Sequence, residues 1–277
     1  MFLRLLCFMK RPDMSSHASQ YPIWLPVGDQ GLMLDFTGFT PVTSHDKNAQ
    51  DAAHITQALA AKIAAMAEAL RALPASGMIE IVPSLTRLFI HFDNQLTTAE
   101  HIKAACYPLL EIDSRQINSK TRIWHMPICY EGACAPDLGA VAKATNMSET
   151  EVIERHLAQM VTVAVMGFLP GLGYMTGVDA RLTLPRRSNP RTHVPARSVG
   201  IAMGQCVIYP LESPGGWHLI GRTSFPIFDK DRADPILFRA ADKVQFQRIS
   251  EAEFVRQEAA YNAGELKAEQ LLKGSLS

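Results

Sequence analysis

The residues best suited to chemistry lie in one stretch, Gly167 to Thr223, which reads GFLPGLGYMTGVDARLTLPRRSNPRTHVPARSVGIAMGQCVIYPLESPGGWHLIGRT. It carries six arginines and two histidines among glycines, prolines and aromatics. Glycine supplies positive φ or lets a ligand approach the backbone, and proline fixes φ and stiffens a turn. The combination predicts rigid loops presenting Tyr174, Arg186, Arg187, Arg191, Gln205, Tyr209, Trp217 and Arg222 on a β scaffold. A planar guanidinium reads a carboxylate or phosphate through two bonds, so the chemistry on offer is the binding and charge stabilisation of an anion. The same residues also fit a β-barrel whose tight corners need Gly and Pro, with its arginines tied up in loop salt bridges.

Composition sets loose bounds. The chain has 277 residues, enough for two domains, and 27 basic against 27 acidic side chains. A formal net charge of zero leaves no electrostatic footprint for nucleic acid or an anionic membrane surface. Five scattered cysteines fit a reducing compartment, and so the cytoplasm, better than a disulfide framework. Cys129 and Cys134 have no second Cys or His pair to complete a zinc pattern, so no metal is expected. The opening MFLRLLCFMKRPDM is interrupted by Arg4 and lacks a cleavage site, and no later apolar run reaches membrane-spanning length. Residues 1–19 are expected to be a disordered extension, with Met1 and Met14 both open as starts.

Two units are expected to position the loops. In residues 20–112, short strands flank Gly28 to Gly31, and an alanine-rich amphipathic helix runs from Asn48 to Leu73 with Leu59, Ile63, Met66 and Leu70 in register. Strands Met78–Val82 and Arg87–Phe92 follow, and Thr97 with Glu100 makes a capping box for a helix to about residue 110. This predicts a small α+β domain of the ferredoxin-like kind. Residues 113–120 are polar and read as a linker. From Thr121, strands with short spacing and Pro226 and Pro235 predict an antiparallel β-barrel over 121–258, with Ser148 and Ser250 each capping a helix and a C-terminal tail over 259–277 that frays beyond Leu266. His156 falls on the first of those helices, as a packed, hydrogen-bonded histidine or a free base.

Four motifs in order, GFxPGxxYM, PRRxxPRxxVPA, GQxxIYP and SPGGWxLIGRT, together with VGDQGLMLDF and IVPSLTRLFIHFD, give the chain a specific resemblance from about Trp24 to about Gln257. It resembles the Kip-type inhibitor family, also called allophanate hydrolase subunit 1, which is similar to the first half of a urea carboxylase carboxyltransferase domain. The resemblance implies an α+β first domain and a cyclophilin-like β-barrel. Three positions depart from the family pattern: Arg197 stands at a usual glycine, Leu172 at a frequent aromatic and Met160 at a usual tyrosine. A glycine at a turn signals positive φ, which arginine tolerates poorly.

The activity the resemblance implies is that of one component of an ATP-dependent 5-oxoprolinase, opening 5-oxo-L-proline to L-glutamate together with partner subunits A and C. A sensor-kinase inhibitor, or a component of a urea- or allophanate-processing enzyme, remains the alternative. A lactam amide is too stable to hydrolyse unaided and needs activation at its oxygen, so the site needs cations and fixed donors. Under this reading His156, Gln205 and Arg191 are catalytic. Tyr174, Arg186, Tyr209, Gly215, Gly216, Trp217 and Arg222 bind substrate, the glycines through backbone N–H groups. The expectation is that most of these side chains line one cleft. No phosphate-loop motif is visible, so ATP is assigned to the complex and not to a particular chain.

Overall fold

A computed structural model describes residues 22–37, 49–73, 77–110 and 121–276. The expected extension at 1–19 and linker at 113–120 lie outside the described residues. In the first unit, β1 (Ile23–Pro26) and β2 (Gly31–Asp35) form a hairpin whose turn uses Gly28 at φ +65. They are followed by α1 (Ala49–Arg71), β3 (Met78–Pro83), β4 (Arg87–Phe92) and α2 (Ala99–Leu110). The sheet order is β1-β2-β4-β3, with antiparallel neighbours throughout. Thus β2 and β3 run parallel with β4 between them, and α1 makes the crossover.

Period-two alternation places Leu32, Leu34, Leu88, Ile90 and Phe92 on one sheet face. There they meet Leu59, Ile63, Met66 and Leu70 of α1 and Ile102, Cys106 and Leu110 of α2. Burying each such side chain contributes roughly 1.5–3 kcal/mol, so this stripe fixes both helices to the sheet. The start of α2 differs from expectation by one residue. Thr98 Oγ1 accepts the His101 N–H at 3.3 Å, while Thr97 is buried.

The second unit comprises β5 (Thr121–Cys129), α3 (Leu138–Thr145), α4 (Glu149–Ala158), β6 (Met160–Met166), β7 (Gly173–Thr176) and β8 (Arg191–Val194). It continues with β9 (Ser198–Ala202), β10 (Gln205–Ile208), β11 (Ser213–Gly215), β12 (His218–Thr223), β13 (Lys243–Ile249), α5 (Glu251–Asn262) and β14 (Leu272–Leu276). Seven strands in the order β12-β9-β10-β7-β6-β13-β5 close into a barrel through the β12–β5 pairing. Met126, Ile128, Val163, Ile201, Ile208, Val244 and Phe246 belong to its core. Ser148 and Ser250 cap α4 and α5 as expected, accepting the N–H groups of Glu151 at 3.1 Å and Glu253 at 3.2 Å.

Two expectations for this unit are corrected. The barrel is not purely antiparallel, because β13 runs parallel to β5 from Lys243↔Ile123 to Ile249↔Cys129. The segment expected to fray beyond Leu266 instead contains the strand β14, which pairs antiparallel with β5. Ala268 is buried there, with Leu266 and Leu271 packed on the core, and that apolar contact holds the segment down. β8 and β11 form a separate two-stranded ribbon over the outer face of the barrel.

Candidate functional site

The loops assemble on the outer face of the barrel. Along β10 the side chains alternate: Cys206 and Ile208 belong to the barrel core, while Val207 and Tyr209 belong to a second, smaller core outside it. Gln205 shares that outward parity. Tyr209 and Trp217 are buried there with Leu172, Val194, Ala202, Val207 and Leu219, and Tyr174 lies half-buried at the edge, its ring centroid 6.0 Å from that of Trp217. The Arg186 guanidinium lies over the Trp217 ring at 5.7 Å. Glycine is required at Gly215 because a Cβ would overlap Tyr209 Oη. The close approach expected of a ligand at Gly215 is therefore made by the protein's own tyrosine. Gly216 is open, with only Pro190 and Arg186 side-chain atoms 3.7–3.9 Å from where a Cβ would stand, and its carbonyl accepts the Arg187 N–H at 2.8 Å.

The organising residue of this face is Asp137, which sequence reasoning missed. It sits at the start of α3 and is 3% exposed. Its Oδ2 accepts from Arg191 Nη1 at 2.8 Å and from the Leu219 N–H at 2.7 Å. Its Oδ1 accepts from Arg191 Nη2 at 2.7 Å and Arg187 Nη1 at 2.9 Å. Burial alone would raise the Asp137 carboxyl, but the hydrogen bonds from Arg191 and Leu219 and the charges of both arginines hold it below the usual carboxylate range. The signal available in the sequence was an Asp directly before the apolar steps Leu138, Val141 and Ala142, a helix start.

One carboxylate serving two guanidiniums leaves a surplus positive charge. Arg186 adds another, since no carboxylate pairs with it among the described residues. Burial pushes the Tyr209 phenol up to about 12, so its hydroxyl stays protonated. The Trp217 backbone N–H and the Arg186 and Arg191 guanidiniums offset part of that rise. This face can therefore bind an anion against fixed donors.

Most of the expected residues therefore share this face, and two of them, His156 and Arg222, lie elsewhere. His156 is 1% exposed in the barrel core, its ring stacked on Phe246 at 4.4 Å. Its Nδ1 is 2.7 Å from Tyr130 Oη and its Nε2 is 3.6 Å from Cys206 Sγ. Burial depresses its pKa to about 3, so it is neutral at pH 7 and has no solvent route to act as a base. Arg222 also leaves the site. Its Nε donates to the Ala196 carbonyl at 3.0 Å and its guanidinium lies 5.7 Å over Phe254 of α5.

Arg197 does occupy a left-handed position, at φ +70. Its N–H donates to the Tyr209 carbonyl at 2.6 Å and its own carbonyl accepts from the Thr223 N–H at 3.0 Å, which fixes the turn. The guanidinium donates to the Ser224 carbonyl at 2.9 Å, pairs with Glu258 and lies over Phe254. The arginine thus holds α5 against the barrel, and these bonds offset the backbone strain. Leu172 fills the outer-face core at the position where the family pattern favours an aromatic, and Met160 is exposed at the start of β6. Among the described residues, no group of His, Cys, Asp and Glu could hold a metal ion.

Comparisons with known proteins align with this geometry. Residues 26–238 match the family model described as carboxyltransferase domain, subdomain C and D. The B subunit of 5-oxoprolinase from Bacillus subtilis (strain 168) is 36% identical over 192 residues, 65% of this chain and 80% of that protein. The corresponding 5-oxoprolinase B subunit from Escherichia coli O157:H7 is also 36% identical over 192 residues, 69% of this chain and 87% of the relative. The crystal structure of TTHA0988 superposes with a TM-score of 0.64 at 30% identity, covering 80% of this chain but 40% of that one.

Proposed function

The chain belongs to the carboxyltransferase domain, subdomain C and D, family, and from that premise we propose that it acts as the B subunit of an ATP-dependent 5-oxoprolinase, with subunits A and C as partners. The observation that carries the reading is the cationic outer face: Arg186 unpaired over Trp217, beside two arginines sharing Asp137. The substrate 5-oxo-L-proline presents one carboxylate and one lactam amide. Arg186 is the guanidinium left to bind the carboxylate. Arg187 and Arg191 are held by Asp137 and stabilise negative charge without having to be ordered during the reaction. Gln205, on the same outer face, offers an amide to the lactam.

The donor set fits an anionic oxygen of substrate or phosphate. ATP is not assigned to one chain of the assembly, since no glycine-rich loop opens a helix among the described residues. ATP is therefore a co-substrate of the assembly, and this chain's residues bind, orient and neutralise. The finer fold descriptions, a ferredoxin-like first unit and a cyclophilin-like barrel, belong to the same reading. They are supported by the split β2-α1-β3 crossover and by the seven-strand closure. A cytoplasmic setting is supported by Cys106, Cys129, Cys134 and Cys206, all free and buried. Among the described residues no helix is long and apolar enough to cross a membrane.

The test is reconstitution. Co-purified with subunits A and C, the chain is expected to give ATP hydrolysis that depends on 5-oxoproline, and to give none when purified alone. Robust turnover by the single chain would overturn the proposed role. So would a co-purified assembly that hydrolyses ATP at the same rate with and without 5-oxoproline.

A further inference from the structure

Thr176 ends β7, one step beyond the core residue Met175, and shares the outward parity of Tyr174. Its hydroxyl oxygen is shut off from solvent and makes no hydrogen bond among the described residues. A buried hydroxyl without a partner forfeits its hydration and gains nothing in return. Valine has the same branched shape, suits a strand as well and carries no such cost. The fold therefore gives no reason for a hydroxyl here. Nor does a trapped water supply one. A cavity of about 10 Å³ adjoins Thr176, bounded by Ala60 and Ala61 of α1 and by Thr162, Val163, Ala164 and Ala241. That is the lower limit for a single water, which needs two to four polar partners, and the only other polar side chain lining the space is Thr162.

The neighbours of Thr176 show what the hydroxyl serves. β7 and β10 pair antiparallel, with Cys206 opposite Met175 and Val207 opposite Tyr174. Continuing that register by one step sets Gln205 opposite Thr176, and both residues have outward parity. Directly opposed side chains in an antiparallel pair have Cβ atoms about 4.5–5.5 Å apart, within reach of a hydrogen bond from a threonine hydroxyl to a glutamine amide. Gln205 is half-buried, and its amide has no partner among the described residues. Its other strand neighbour, Ala202, has no polar side chain. Thr162, opposite Thr176 on β6, is already partnered. The unpartnered hydroxyl and the unpartnered amide are thus left facing each other. A glutamine that rotates freely presents either its oxygen or its NH2 to a ligand, and only the NH2 donates. A hydroxyl donating to the amide oxygen fixes that choice.

We propose that Thr176 is the positioning residue for Gln205, an inference that rests on the proposed 5-oxoprolinase role: once substrate is bound, Thr176 Oγ1–H donates to Gln205 Oε1 and turns the amide NH2 toward the lactam oxygen. The test compares Thr176→Val, Thr176→Ser, Gln205→Ala and the Thr176→Val, Gln205→Ala double variant in the assembly reconstituted with subunits A and C, with a melting curve of each isolated chain. Thr176→Val is expected to raise the melting temperature by about 2 °C or more. Its kcat for 5-oxoproline-dependent ATP hydrolysis should fall at least about tenfold, with KM within about twofold because Arg186 still holds the carboxylate. Thr176→Ser keeps the hydroxyl and should retain kcat within about threefold of wild type. In the Gln205→Ala background Thr176→Val should lower kcat no further, because no amide is left to turn. A Thr176→Val assembly with kcat within about twofold of wild type sinks the inference and leaves the proposed role standing. So does a full additional loss in the Gln205→Ala background, since the hydroxyl would then act without the amide. A melting temperature that falls together with kcat, with no rescue by serine, makes Thr176 a packing residue. If the wild-type assembly shows no turnover that depends on 5-oxoproline, the proposed role fails and the positioning role fails with it.

Discussion

Replacing Asp137 by alanine is expected to destabilise the chain by about 3 kcal/mol and to abolish turnover in the assembly. The carboxylate is buried, and it is the acceptor for Arg187, Arg191 and the Leu219 N–H. Removing one partner of a buried charge cluster costs about 3–5 kcal/mol because the opposite charge is left uncompensated. Here both arginines are partly exposed, at 31% and 24%, so solvent relieves some of that and the low end applies. For a chain of this size 3 kcal/mol lowers the melting temperature by about 6–12 °C. Asp137→Asn keeps an oxygen for Leu219 but loses the charge, so its melt should fall between the two. Melting curves for both variants within about 1 °C of wild type would show that the arginines are not organised by this residue. The sign of the pH effect follows from the lowered pKa. The Asp137 contribution is complete above the unfolded carboxylate pKa and is lost as pH falls through the lower folded value.

A second large effect is expected in acid, and it begins before the carboxylates titrate. His156 is buried and neutral, with its pKa depressed to about 3 from an unfolded value of 6.5. Between those values the unfolded chain holds a proton that the folded chain does not, so stability is complete above pH 6.5 and falls with pH at about 1.4 kcal/mol per unit. The accumulated loss is on the order of 5 kcal/mol by the time the folded group titrates. His156→Gln retains hydrogen-bonding capacity toward Tyr130 without a titrating group, so its stability should be less at about pH 7 but flatter between about pH 6 and pH 4. Urea unfolding at stepped pH measures this directly. Equal slopes for the two proteins would mean that His156 is not the group that protonates on unfolding.

Much of the scaffold is readable because its signals are local. Alternation along Leu32–Leu34 and Leu88–Ile90–Phe92, the three- and four-residue steps of Leu59, Ile63, Met66 and Leu70, and the caps Ser148 and Ser250 each concern residues within a few positions of one another. What escapes reading is long-range. No local pattern says that Asp137 will be reached by arginines 50 and 54 residues downstream, or that β13 will lie parallel to β5, about 120 residues away. The arginines are legible as a group, but which are bound internally and which is free depends on that acidic partner. His156 is a different kind of miss. Val152, Ile153 and His156 share one helix face, and the apolar character of that face points to the core and not to a base. Arg197 stands out in the sequence as a departure at a glycine position, and the left-handed backbone is indeed there, but its ion pair with Glu258 depends on how α5 docks.

The central claim is that the cationic outer face, with Arg186 as its unpaired guanidinium, is where this chain meets the carboxylate of its substrate. The most direct measurement is kcat/KM for 5-oxoproline in the reconstituted assembly carrying Arg186→Ala, with a melting curve of the same preparation. Arg186 is exposed and makes no ion pair among the described residues, so the fold should survive. The account predicts a fall in kcat/KM of at least about tenfold, or about 1.4 kcal/mol of lost transition-state stabilisation, with the melting temperature unmoved. A variant assembly whose kcat/KM stays within about twofold of wild type would contradict it.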